Sequence, residues 1–294
     1  MTSVRQDSDS GPIARRIQLG GHLRRLRQSA NVTREAAGWH IRGSESKISR
    51  MELGRVPFKE RDVADLLTLY GADDDETAAL LSLARQANIP GWWQKFGDIV
   101  PPWYQSYLGL EDAASLIRAY EVHAIPALLQ TAEYARAIIR QGYPDASETE
   151  IDRRVELRQH RQAIFRRPNP PHLWAVLDES ALRRRIGGRD VMRAQTEALL
   201  AASQRPNIRL QVVSLERAAP TAAGFPFTIL RFSEEGLPDV VYLEHLTSAL
   251  YLDKPGDVEH YAITMDRSCL TAASPDRTVV FLRDRLEKAR ERAA

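Results

Sequence analysis

The stretch from Val32 to Arg55, VTREAAGWHIRGSESKISRMELGR, predicts two short helices joined by a tight turn. Thr33 can cap the first helix and Ser44 the second, because side-chain hydroxyls accept hydrogen bonds from the unpaired amide groups of a first helical turn. Gly43 is expected to supply a positive φ angle at the turn. The pattern is that of a helix-turn-helix, whose second helix suits the major groove of DNA.

The second helix is predicted to have an apolar face and a polar face. Ile48 and Met51 are three residues apart, so they share the face that would turn towards a core. The polar face carries Glu45, Ser46, Lys47, Ser49 and Arg50. In the first helix the apolar positions are Ala36, Ala37, Trp39 and Ile41.

The segments on either side predict a small helical domain. Residues 17–30 form an amphipathic pattern, with Leu19, Leu23 and Leu26 inward and Arg24, Arg25 and Arg27 outward. Gly54 is placed to end the second helix. Residues 62–70 predict a further helix, with Val63, Leu66, Leu67 and Tyr70 on its apolar side.

These segments resemble the helix-turn-helix repressors of the xenobiotic-response-element family, which includes phage Cro and C1-type proteins. The matching residues are Leu23 to Arg27, Thr33 to Ala37 and Ser44 to Arg55. The resemblance implies a transcriptional regulator that binds an operator in double-stranded DNA. Such regulators bind as homodimers, on two half-sites about one helical turn apart.

The expected contacts to base edges or nearby phosphates come from Ser44, Ser46, Lys47 and Arg50. Glu45 could accept a hydrogen bond from cytosine N4, and Ser49 belongs to the same exposed face. Contacts to phosphates are expected from Thr33, Arg34 and Arg55. Many members of the family have glutamine where Arg34 stands.

The basic charge of the chain is concentrated in the same region. Residues 13–59 hold eleven Lys or Arg against three Glu, a net charge of +8. Residues 60–90 hold two Arg against seven acids, a net of −5, and residues 91–294 hold 27 charges of each sign. The whole-chain charge of +2 therefore hides a basic footprint that suits DNA phosphates. The alternative is a solvated basic surface.

The chain has 294 residues, which is long enough for two domains. We expect a disordered arm at residues 1–14, a helix-turn-helix domain at 15–90 and an effector domain at 91–294. The aromatic-rich segment 92–107, with Trp92, Trp93 and Trp103, is expected to pack between the domains. A ligand cage of aromatic rings is the alternative.

Several classes of protein are disfavoured by what the sequence lacks. Its one cysteine, Cys269, allows no internal disulfide and argues against a cysteine-based zinc site. No apolar run approaches the roughly 20 residues of a membrane helix, and the N-terminus does not look like a signal peptide. We expect a cytoplasmic protein without a metal or cofactor.

The effector domain is predicted to be α+β, with runs of strands instead of strict alternation of strand and helix. The predicted strands cover residues 113–122, 173–177, 208–213, 225–232, 240–243 and 249–252, and a helix is the alternative for 113–122. The predicted helices cover residues 126–140, as one helix or two short ones, and residues 147–166, 181–186, 191–202 and 258–270; a last helix runs from 276 to the end. The fold class is therefore multidomain: an all-α domain followed by an α+β domain.

Four segments of this domain, in their order, resemble the C-terminal domain of actinobacterial antitoxin-like regulators of the WhiJ type. They are RAYEVHAIPALLQTAEYAR (118–136), VELRQHRQ (155–162), LDESALRRRIGG (177–188) and VVYLEHLTSALYLD (240–253). The resemblance covers about residues 15–285 and implies control by a small partner protein, usually encoded beside the regulator. One departure is Ala127, where the family usually has glycine after the proline.

The candidates for catalysis are few: acidic residues at predicted strand ends, His245 beside one of them, and the scattered His123, His160 and His172. Asp178 and Glu179 more simply start a helix, and Glu244 with His245 more simply forms a surface pair. There is no GxSxG elbow, P-loop, HExxH or GxGxxG motif. We therefore expect no enzyme. Control by a partner protein is the first hypothesis, a small-molecule sensor the second and an enzyme the third.

Overall fold

The computed structural model describes residues 12–216, 225–233 and 237–291. An all-α unit is followed by an α+β unit, as the sequence predicts. Most of the arm predicted at residues 1–14 lies outside the described residues, and the domain limits at 15–90 and 91–294 stay predictions.

Two compact units make up the described chain. The first takes in the described residues within 1–95, 105–113 and 234–237. The second takes in those within 96–104, 114–233 and 238–294.

The first unit contains helices α1 Pro12–Ser29, α2 Arg34–His40, α3 Glu45–Glu52, α4 Glu60–Tyr70, α5 Asp74–Ala87 and the greater part of α6 Pro102–Ala113. Its core is apolar and is formed by residues such as Leu19, Leu23, Ile48, Met51, Leu66 and Leu67. These are the inward positions that the helical periodicity predicts, so the amphipathic interpretation of α1, α3 and α4 is confirmed.

Several local predictions in this unit are wrong. α1 begins at Pro12, before the predicted start at residue 17. Arg27, predicted to point outward, is buried because it pairs with Glu52. The positive φ angle of the turn is at Arg42, where it is 52°, and not at Gly43. Trp39, predicted as an apolar position of α2, is 80% exposed.

The second unit holds a six-stranded mixed sheet: β1 Leu116–Glu121, β2 His172–Asp178, β3 Ile208–Val213, β4 Phe227–Arg231, β5 Val240–Glu244 and β6 Ala249–Leu252. The order across the sheet is β3-β2-β1-β4-β5-β6. The first three strands are parallel, and β4, β5 and β6 pair antiparallel with their neighbours. The predicted strands are confirmed.

The helices of this unit are α7 Ala132–Gly142, α8 Glu148–Arg161, α9 Glu179–Arg183, α10 Arg189–Ala202, α11 Pro255–Thr271 and α12 Pro275–Glu291. α7 and α8 connect β1 to β2, and α9 and α10 connect β2 to β3. Met265 of α11 lies in the apolar core on one sheet face, with Tyr120, Val176 and Phe227.

The two outer strands of the sheet differ in their surroundings. On β3, the amide of Val212 donates to the Thr278 hydroxyl at 3.2 Å, and the Val212 carbonyl accepts from the amide of Ala273 at 2.9 Å. β6 forms the other edge, and Leu250 on it is 51% exposed. Within the described sheet, β6 is therefore the outer strand with an exposed apolar side chain.

The aromatic-rich segment is packed. Trp93 is buried and meets Trp92 edge to face, with ring centroids 5.7 Å apart. The Trp92 indole donates to Asp112 Oδ1 at 3.1 Å within the first unit. Trp92 and Trp93 are therefore firmly packed, and the packing of the segment between the two domains stays a prediction.

None of the described helices is long and apolar enough to cross a bilayer.

Candidate nucleic-acid interface

Hydroxyl caps start both helices of the helix-turn-helix. The amide of Ala36 donates to Thr33 Oγ1 at 3.1 Å, and the amide of Lys47 donates to Ser44 Oγ at 3.2 Å. Each bond satisfies an amide that has no partner within its helix. Both predicted caps are confirmed, and they fix where α2 and α3 begin.

A buried carboxylate ties α3 to the rest of the unit. Glu52, at the end of α3, is 3% exposed and accepts from Arg27 Nε at 2.5 Å and from Arg34 Nε at 3.0 Å. Arg27 also donates to the carbonyl of Val32 at 2.8 Å. Burial and the nearby Glu52 carboxylate raise the pKa of Tyr70. The network joins α1, the turn before α2, α2 and α3.

Two glycines allow the backbones of these helices to approach closely. A Cβ at Gly20 of α1 would lie 2.5 Å from the Met51 carbonyl oxygen, and a Cβ at Gly38 of α2 would lie 2.8 Å from the carbonyl carbon of Ser44. Real Cβ atoms essentially never come so near. Both ends of α3 are therefore held by backbone contacts that a larger residue would disturb.

Most of the predicted DNA contacts lie on the surface. The exposed members are Thr33, Ser44, Glu45, Ser46, Arg50 and Arg55. Arg50 Nε donates to the carbonyl of Ser46 at 3.2 Å, one turn back on the same helix. The N-terminal half of α3 thus presents short polar side chains, with a guanidinium beside them.

The other predicted contacts are partly buried, and two of them are already ion-paired. Arg34 binds Glu52, and Lys47 Nζ lies 2.6 Å from Asp62 Oδ2 of α4. Ser49 is half-buried. A phosphate or base would compete with these carboxylates for Arg34 and Lys47.

Sequence reasoning missed the roles of three residues of the helix-turn-helix, one of them buried and two exposed. Glu52 was not singled out, although it is one of only three acids among the eleven cations of residues 13–59. Arg42 adds an exposed cation in the turn between α2 and α3, and Trp39 adds an exposed indole at the end of α2. The position of Arg42 beside Gly43 was the available signal.

Comparison with known families agrees with this geometry. A helix-turn-helix domain model matches residues 18–80, which include α2 and α3. A second model, described as a domain of unknown function (DUF5753), matches residues 104–284, more than half of the chain. The chain belongs to the DUF5753 family. No curated protein and no solved structure matches it.

The helix-turn-helix domain supports sequence-specific DNA binding and a role in transcription regulation. The DUF5753 match brings no function with it, so the chemistry of that domain has to be inferred from its residues.

Two acidic residues of the DUF5753 domain that were candidates for catalysis make structural hydrogen bonds. Asp178 caps α9, accepting from the amide of Ser180 at 2.8 Å, which confirms the helix-start interpretation. Glu179 accepts from Arg183 Nε at 2.7 Å and from the amide of Leu215 at 3.1 Å. Within the described residues, no group of three or more His, Cys, Asp or Glu could hold a metal.

Proposed function

We propose that the chain is a Cro/C1-type transcriptional regulator whose α3 lies in the major groove of its operator. The observation that carries the proposal is the polar, capped N-terminal half of α3, which stands on a scaffold held by Glu52, Gly20 and Gly38. Recognition helices of this motif contact bases with their N-terminal residues. A homodimer on two half-sites is part of the proposal.

Within this proposal the contacts divide by chemistry. Arg50 can donate two hydrogen bonds to guanine, Ser46 can pair with several base edges, and Glu45 can accept from cytosine. The side chains at the helix ends bind the phosphates; they are Thr33, Arg34, Ser44 and Arg55. Lys47 and Ser49 belong to the same face. Lys47 exchanges its ion pair with Asp62 for one with a DNA phosphate.

Selection of operator sequences from random DNA, followed by titration of the best site, tests the proposal. Arg50→Ala should weaken binding to that site by about 1–3 kcal/mol and relax specificity at one base pair. The matched control is Arg61→Ala, which removes an exposed cation of α4 that lies 3.9 Å from Asp65. If both variants bind like the parent, α3 is not the recognition helix.

We further propose that the DUF5753 domain receives the controlling signal by binding and not by catalysis. The likeness to WhiJ-type antitoxin-like regulators favours a small protein encoded beside the gene. The hairpin of β5 and β6 offers it an apolar sheet edge, because Leu246 in the turn is 98% exposed and Leu250 is 51% exposed. A partner could add a strand there.

Calorimetric mixing with that neighbouring protein, followed by a gel-shift assay, tests this part. Heat of binding and a changed operator occupancy are both expected, since a ligand shifts an equilibrium through its different affinities for the two states. Leu250→Ser should weaken the partner's binding and leave operator binding unchanged. No heat and no change in occupancy would favour the alternative, a small-molecule sensor, for which the carboxyl end of β1 offers a site.

A further inference from the structure

The carboxyl end of β1 is the place in the second unit where the order of the strands reverses. From β1 the chain moves to β2 and β3 on one side, and then returns to β4, β5 and β6 on the other. Open sheets with parallel strands bind small molecules in the crevice outside such a point. The last residue of β1 is Glu121.

Two carboxyl groups meet on one sheet face at this end. Glu121 lies two residues after Ala119, which pairs with Thr228, and Glu244 lies two residues after Tyr242, which also pairs with Thr228. Because side chains two residues apart share a face, both carboxyls belong to the same side of the sheet. The Tyr242 hydroxyl donates to Glu244 Oε2 at 2.9 Å.

Two guanidinium groups of α8 lie near these carboxyls, and each donates a hydrogen bond to a neutral group. Arg158 Nη1 donates to Gln130 Oε1 at 2.9 Å, and Arg161 Nη1 donates to the Tyr104 hydroxyl at 2.6 Å. Both arginines act on the ionisation of Glu121. Gln130 is buried and is itself fixed by its bond to the carbonyl of Ile125.

Within the described residues, Glu121 and Arg158 form no ion pair with each other. Among the described residues, the Glu121 carboxyl makes no hydrogen bond and no ion pair, and Arg158 makes only the bond to Gln130. Burial, with Glu244 adding to it, raises the pKa of Glu121 to about 8, and burial lowers the pKa of Arg158. Both residues nevertheless keep a fraction of their surface accessible. Polar groups so placed usually have a partner, so a separate molecule between them would explain their lack of one.

We propose that the site formed by Glu121, Glu244 and Arg158 at the carboxyl end of β1 binds a free amino acid or a similar small zwitterion. Its carboxylate binds the guanidinium of Arg158, which can offer paired N–H donors to a planar anion. Its ammonium group binds between the carboxyls of Glu121 and Glu244. This ligand would be the small molecule in the sensor alternative of the proposed function. The inference rests on the proposed function only for the effect of the ligand on operator binding.

Thermal denaturation of the full chain with each protein amino acid at millimolar concentration is the first test. At least one amino acid should raise the melting temperature, whereas inorganic phosphate, propionate and ethylamine, which each carry one of the two charges, should not. If no amino acid stabilises the chain, or if a singly charged probe does so equally well, the proposal is overturned.

Calorimetry with the amino acid found is the second test. An ammonium group beside Glu121 lowers the pKa of that carboxyl, so binding at pH 7 should release a proton, seen as a heat that differs between HEPES and Tris buffers. Arg158→Met should weaken binding at least tenfold, and Glu121→Gln should abolish the proton release. The matched control is Arg283→Met, at an exposed arginine of α12.

The two variants must also be folded, which circular dichroism at the assay temperature checks. Parental affinity in both Arg158→Met and Glu121→Gln would place the ligand elsewhere and overturn the proposal. None of these measurements involves DNA, so their failure is distinct from a failure of operator binding.

Discussion

Glu121 shows how a single carboxyl group makes the stability of a domain depend on pH. It is faced by Glu244 from β5, by Arg158 and Arg161 from α8 and by Tyr134 from α7. Its pKa is about 8 in the folded protein, against an ordinary value of 4.5. Between these values the folded chain holds a proton that the unfolded chain releases, so stability falls as pH rises through this window.

Glu121→Gln should remove that dependence. At pH 9 the variant should be more stable than the parent by about 1–3 kcal/mol, because the parent must keep a charged carboxyl in a crowded site. At pH 5 the parent carboxyl is protonated in the fold and the difference should be small. Urea denaturation of parent and variant at both pH values measures it. A difference that does not change with pH would mean that Glu121 titrates normally.

At the scale of elements, Glu52 joins three helices through two arginines that are not equivalent. The side chain of Arg27 is 10% exposed and that of Arg34 is 33% exposed. Removing one partner of a buried ion pair leaves an uncompensated charge, whereas a half-exposed cation returns to water. The helix-turn-helix should therefore depend on Glu52 and Arg27 far more than on Arg34.

Glu52→Ala should destabilise the first unit by about 3–5 kcal/mol, since it strands Arg27 in the core. Arg34→Ala should cost at most about 1 kcal/mol. Hydrogen exchange of the α3 amides reads out the loss locally, and Arg61→Ala serves as the surface control. Equal loss of protection in the first two variants would contradict the unequal roles of the two arginines.

The elements that could be predicted are those whose signals are local. Thr33 and Ser44 carry their capping chemistry within three residues of the amides that they bind, and the period of Leu19 and Leu23 marks the inward face of α1. The strands of the second unit were found for the same reason. The positive φ angle of Arg42 could not be predicted in this way, because the neighbouring Gly43 is the residue type that usually adopts such an angle.

What escaped prediction depends on residues far apart in the chain. Arg34 and Lys47 belong to the predicted site, but their partners Glu52 and Asp62 lie 18 and 15 residues away. Likewise the sheet order follows from pairings such as that of Leu116 with Arg231, for which the sequence has no local mark. The unpaired carboxyl of Glu121 depends in the same way on β1, β5 and α8, which only the folded chain brings together.

At the scale of the whole molecule, the first unit uses residues beyond the helix-turn-helix domain predicted at 15–90. A Cβ at Gly109 of α6 would lie 2.0 Å from Ile13 Cγ1 of α1, so the two helices are in close contact. The hydrogen bond from Trp92 to Asp112 also ties α6 to the first unit. A fragment that ends at residue 90 lacks Trp92, Gly109 and Asp112 together.

Fragments 1–90 and 1–113 should therefore both fold, because both contain the core of α1 to α5, but the longer one should be more stable. An added 1 kcal/mol raises the melting temperature of so small a domain by about 4–8 °C. Gly109→Ala in the longer fragment should remove most of that gain, since its methyl group collides with Ile13. Both fragments should keep salt-sensitive, non-specific DNA affinity through their cations, and lose specific affinity if the second unit supplies dimerisation. Melting followed by circular dichroism decides: equal midpoints would show that α6 adds nothing, and an unfolded shorter fragment would show that the boundary near residue 90 is misplaced.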